Sequence, residues 1–144
     1  MIKFSNLPCE IEGQKKELKH WLLKVVESEG FILGDVLYFF LNDEQLLKVN
    51  MQFLNHDTYT DIITFDYDDG NIVNGEIYIS EDRIRDNSKQ MDVLLQDEML
   101  RVIVHGVLHL CGYKDKTDLD AAVMRQKEDD YISFYKNLNN YKSN

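Results

Sequence analysis

The chain has 144 residues, 44% hydrophobic, 29% charged and 11% aromatic, with 7 glycines, 1 proline and 2 cysteines. That composition excludes a disordered or collagen-like chain, and no apolar run approaches the roughly 18 residues of a membrane-spanning helix. The net charge of -10 argues against nonspecific binding of nucleic acid, which is driven by cations neutralising phosphates. The first residues carry one Lys and then mixed polar side chains, unlike a secretion signal. Cys9 and Cys111 are too few for a disulfide framework, so the expectation is one domain, residues 1–144, in a reducing cytoplasm.

Residues 2–4 predict a short strand. From 12 to 29, Leu18, Trp21, Leu22, Val25 and Val26 recur at helical spacing as a core stripe. Between them Lys15, Lys16, Lys19, His20 and Lys24 form a solvated face, and Gly30 is placed to end the helix. Residues 36–41, VLYFFL, predict a buried strand. Asn42 with Gln45 resembles a capping box for a helix to Phe53. Residues 60–67 read as a strand, Asp68 to Asn71 as a turn, and 72–79 as its partner, with Ile77 and Ile79 on one face and Glu76 and Tyr78 on the other. Asp66, Asp68 and Asp69 fit a solvated hairpin. Ser80 caps a short helix that carries Glu81 and Asp82 in its first turn. Residues 92–111 predict the central helix, apolar nearly all round beyond Arg101. Thr117 starts a last helix to about Lys136, and the Asn-rich tail is expected to fray. The fold class is α+β, with helices flanking one small sheet.

The central helix carries the chemistry. His105 and His109 stand four apart, so both rings project from one face and can converge on one ion. Burying two imidazoles in an apolar helix is costly unless each finds a partner. Gly106 weakens the helix by about 1 kcal/mol relative to Ala and suits a place where a backbone or ligand comes close. Gly112 turns the chain, and three residues later Asp115 is within reach of both histidines. Two imidazoles and one carboxylate leave a coordination position open for water, as in catalytic zinc sites. One Zn²⁺ ion on His105, His109 and Asp115 is therefore expected. Cys111 lies on the other side of the helix and reads as a buried, inert thiol. Arg101 reads as an ion-pair partner of Asp97 or Glu98.

The stretch HGVLHLCGYKD resembles the HGxLHLxGxDH motif of the YbeY family of bacterial metal-dependent endoribonucleases. TDIITF at 60–65, with Asn50 upstream, is similar to that family's TDVLSF, and GEIYIS at 75–80 to its GDIVIS. Glu128 falls where the family also carries acids. The likeness spans residues 46–130. It implies a small mixed four-stranded sheet flanked by helices, the central buried one carrying the metal ligands, a metalloprotease-like zinc hydrolase architecture. It further implies cleavage of single-stranded RNA in 16S ribosomal RNA 3′-end maturation and ribosome quality control. The implied partners are ribosomal RNA and the ribosome or its small subunit, with no membrane and no DNA.

Two positions depart from the family pattern. Asp115 stands where the family has a third His, and Leu54 stands where it has an Arg that faces substrate phosphate. His56 is a weak candidate to act in that Arg's place, as are Lys114 and Lys116. Thr60 and Asp61 are the candidate substrate contacts. Two rivals follow: a noncatalytic ribosome-associated zinc protein, and a zincin-type metallohydrolase. The second needs Glu directly after the first His, where this chain has Gly106.

Overall fold

A computed structural model describes residues 1–54 and 60–139 of the chain. In chain order the elements are β1 (Ile2–Ser5), a 3₁₀ turn at Glu12–Gln14, α1 (Lys15–Ser28), β2 (Ile32–Leu41), α2 (Asp43–Leu54), β3 (Ile62–Asp66), β4 (Ile72–Ser80), α3 (Glu81–Met91), α4 (Leu95–Leu110) and α5 (Asp118–Leu138). The sheet runs β1-β2-β4-β3. β1 and β4 flank β2 in parallel, while β3 and β4 pair antiparallel across the tight turn at 68–71. The sheet is therefore mixed and four-stranded, and the α+β expectation holds.

Strand alternation decides which sheet face is buried. Val36, Tyr38 and Phe40 of β2 lie beside Gly75, Ile77 and Ile79 of β4, and this apolar face is shut off from solvent. α4 packs on it, with Met99, Ile103, Val104, Val107 and Leu108 fully buried. Burying a side chain of this kind contributes about 1.5–3 kcal/mol relative to leaving it exposed. Tyr38 buries its phenol by donating to the Ile103 carbonyl at 2.6 Å, and Trp21 donates to the Tyr131 carbonyl at 2.9 Å. Gly106 lets α4 lie close to the sheet. A Cβ there would come within 2.9 Å of both the Cδ1 and Cγ2 atoms of Ile77. The close approach at Gly106 is made by the Ile77 side chain of β4.

Several boundaries differ from expectation. β2 starts at Ile32 rather than 36, because a register shift between Leu33 and Val36 is held by the Asp35 amide donating to Asn74 Oδ1 at 2.8 Å. β3 is shorter than 60–67, since Asp66 Oδ1 accepts from the Asp68 amide at 2.8 Å and turns the chain. The central helix starts at Leu95, not 92. Asp92, at φ 54, is the left-handed terminator of α3, and the Val93 amide reaches back to the Ser88 carbonyl at 3.0 Å. The caps at Asn42, Ser80 and Thr117 form as expected, Ser80 Oγ accepting from the Arg83 amide at 3.2 Å. The tail beyond Asn139 lies outside the described residues.

Candidate metal centre

α4 ends in a turn that decides the site. Gly112, at φ 102, takes a conformation a side chain would oppose. The Tyr113 amide then donates to the Leu108 carbonyl at 3.0 Å and the Gly112 amide to that of His109 at 3.0 Å. The reversal carries Asp115 back over the last helical turn. Asp115 Oδ2 lies 3.3 Å from His105 Nε2 and 3.5 Å from His109 Nε2. One ligand atom from each of the three residues falls within 4.8 Å of the others.

The other ring nitrogens are held by protein. His109 Nδ1 donates to the Tyr113 carbonyl at 2.8 Å, and His105 Nδ1 to Glu128 Oε2 at 2.6 Å. A carbonyl only accepts, and a carboxylate accepts when ionised, so both Nδ1 atoms carry the proton. Each Nε2 is then the ring atom turned toward Asp115. This is the arrangement in which metal-bound histidines are oriented by outer partners. The donor set and its spacing fit a divalent metal, and His105, His109 and Asp115 would hold it.

Glu128 is itself fixed from behind. It is buried, and Arg101 donates to its Oε1 at 2.9 Å while pairing with Asp129 Oδ1 at 2.7 Å. Arg101 approaches Glu98 only at 3.9 Å, and Asp97 pairs with Lys136 instead, so its main partners are on α5. Tyr113, whose carbonyl orients His109, is tied through its hydroxyl to Glu29 at 2.6 Å. Glu29 also accepts from Tyr131 and lies 3.3 Å from Lys127.

The site favours positive charge. Burial lowers the pKa of His105, but hydrogen bonding and charge from Glu128, with Asp115 and Asp61, more than offset it, and the net shift is upward. Burial raises the pKa of Asp61, opposed by His105 and reinforced by Asp115 and Glu128. Burial likewise raises that of Glu98, whose Oε1 has no hydrogen bond among the described residues.

Thr60, Asp61, Ile62 and Thr64 line a cleft of about 290 Å³ together with His105, His109 and Asp115. Both candidate substrate contacts, Thr60 and Asp61, are thus placed beside the three candidate ligands. His56 lies outside the described residues. Leu54 is exposed and lines an adjoining cleft that also contains Lys116. Cys111 is half-buried, and burial pushes its thiol up to about 12. The cations of α1 lie in solvent, with Lys24 paired to Glu27. Sequence reading named Glu128 only as an acid in the right stretch. Its link to His105 joins residues 23 positions apart on different helices, which no local pattern reveals.

Residues 3–136 match the endoribonuclease YbeY family. A protein named endoribonuclease YbeY from Flavobacterium johnsoniae is 50% identical over 136 residues, 94% of this chain and 97% of that protein. One of the same name from Christiangramia forsetii is 42% identical over 134 residues, covering 93% of this chain and 94% of its own. The fold is similar to a solution structure from Thermotoga maritima, with a TM-score of 0.72, 25% identity, and 99% of this chain and 94% of that one covered. Fold and sequence agree, and the chain belongs to the endoribonuclease YbeY family.

Proposed function

We propose that the chain is a zinc-dependent endoribonuclease that cuts single-stranded RNA, acting in 16S ribosomal RNA 3′-end maturation and ribosome quality control in the cytoplasm. The observation that carries the reading is the pair of imidazoles with Nδ1 engaged by Glu128 and Tyr113 and Nε2 turned to one shared carboxylate in an open cleft. The relatives' printed names supply the substrate class. Imidazole-rich ligand sets suit zinc. When bound, the ion supplies Lewis acidity toward a phosphoryl oxygen and makes a water more acidic.

The protein's own groups do the rest. Glu128 and the Tyr113 carbonyl keep both rings in one tautomer, and Arg101 keeps Glu128 in place. In this reading Asp61, which lines the cleft with His105, takes a proton from the attacking water, and Thr60, in the same lining, contacts the substrate. Gly106 turns its Cα into Ile77, so a zincin-type carboxylate has no space at that position.

The test is cleavage of a single-stranded RNA oligonucleotide by zinc-loaded and chelator-treated protein, with 16S 3′ ends mapped in cells lacking the protein. Metal-dependent cleavage and unprocessed ends are expected; normal ends with an inert loaded protein would overturn the reading. Leu54 favours the rival of a noncatalytic ribosome-associated zinc protein, because it cannot donate to a phosphate. His109→Ala separates the two. Kept folding with lost processing supports catalysis, whereas processing that merely follows stability supports the structural role.

A further inference from the structure

Two further clefts adjoin the metal cleft. One shares Asp61 and His105 with it and is lined by Arg125. The other shares Thr60, Ile62 and Thr64 with it and is lined by Lys116. These two clefts have no lining residue in common, so each cation belongs to a different neighbour of the metal cleft.

Both side chains are exposed, and among the described residues neither makes a hydrogen bond or ion pair. Arg101 lines the same cleft as Arg125, but its guanidinium is held by Glu128 and Asp129 and has little left to offer. The charge of Arg125 acts on buried Glu98, opposing the upward shift that burial causes there. The cleft that Lys116 lines is also lined by apolar Leu54, and among its described lining residues Lys116 is the cation. The metal cleft is acidic through Asp61 and Asp115 and repels phosphate except where a metal neutralises it. Asp61, Glu98 and Glu128 also line the Arg125 cleft, Glu128 being engaged by Arg101 and His105. A polyanion therefore finds attraction at the exposed side chains of Arg125 and Lys116 and at the ion. This also reconciles a net charge of -10 with an RNA substrate, since local cations rather than overall charge attract the strand.

Resting on the endoribonuclease reading, we propose that Lys116 and Arg125 are the phosphate anchors of this cleft, one on each side of His105, His109 and Asp115. A single RNA strand then lies across the metal cluster with backbone phosphates held at either end, which sets the phosphate that is cut. Arg offers a planar fork to phosphate oxygens and Lys a point charge, so the two ends grip differently.

The experiment measures binding of a fluorescein-labelled single-stranded RNA decamer to zinc-loaded protein by anisotropy, over a series of salt concentrations. Lys116→Gln, Arg125→Gln and, on the α1 face, Lys19→Gln are compared with the wild type, with melting temperatures confirming that each folds. Loss of one phosphate contact is expected to weaken binding about three- to tenfold and to flatten the plot of log affinity against log salt by about 0.7. Lys116→Gln and Arg125→Gln should each show this and Lys19→Gln should not. Wild-type binding that neither cleft substitution weakens overturns the anchors and leaves the endoribonuclease reading standing. An effect at one end only overturns the two-ended arrangement, and an equal effect of Lys19→Gln shows diffuse attraction instead. A zinc-loaded wild type that does not bind the decamer at low salt overturns both the anchors and the reading they rest on.

Discussion

His105 and His109 each give one nitrogen to the protein and one to the cleft, and the quality of the second depends on the first. Glu128→Gln keeps the shape of its side chain but removes the charge that orients His105. Zinc affinity, read by competition with a chromophoric chelator, should fall about 10–100-fold while the fold is kept. The two cysteines give a second check. Cys9 is exposed, whereas burial holds Cys111 in its protonated form up to about 12. A thiol reagent at pH 8 should modify Cys9 in the native protein and reach Cys111 only on unfolding. The His pair and the returning Asp115 were legible because they lie within eleven residues of one another on a helix and its cap. The residues that orient them were not. Glu29 meets Tyr113 across 84 positions and Tyr131 across 102, and nothing in either local sequence marks the partnership.

At the scale of elements, the fit of α4 on β4 depends on two glycines. Gly106→Ala sets a methyl against two carbons of Ile77, one of them attached directly to Cβ, so the neighbour yields little. Overpacking should exceed the helix-propensity gain of about 1 kcal/mol and leave a net loss of about 1–2 kcal/mol. Gly75→Ala should cost more, about 3 kcal/mol, because its Cβ would lie 2.7 Å from the Phe65 carbonyl oxygen, a backbone atom of the paired strand. Denaturant midpoints at unchanged slope check both values. The alternation in β4, the helical spacing in α1, the long apolar run of α4 and the cap that starts α5 are local signals, which is why those elements could be read from the sequence. The start of β2 was hidden because its irregular half is held by Asn74, a side chain from β4. The start of α4 was hidden because Asp92 adopts a left-handed backbone more typical of Gly or Asn.

For the whole molecule, the N-terminal segment is tied to α3 by Arg85, which donates to Glu10 Oε2 at 2.7 Å and Oε1 at 3.0 Å. Those hydrogen bonds lower the Glu10 pKa to about 2. A carboxylate depressed in the folded state contributes its stability in full above its unfolded pKa of about 4.3 and loses it as pH falls through the folded value. Wild-type stability should therefore drop between about pH 4.3 and 2. Arg85→Gln should flatten that part of the profile and move the Glu10 titration, followed by NMR, up toward the ordinary carboxylate range.

The chain's proposed chemistry depends on His105, His109 and Asp115 acting together on one ion. Calorimetric titration of zinc into the chelator-treated chain at pH 7.5 measures this most directly. One tightly held ion per chain is expected, with that binding lost in both His109→Ala and Asp115→Ala. An unchanged binding isotherm in those variants, or no zinc bound by the wild type, would contradict the account.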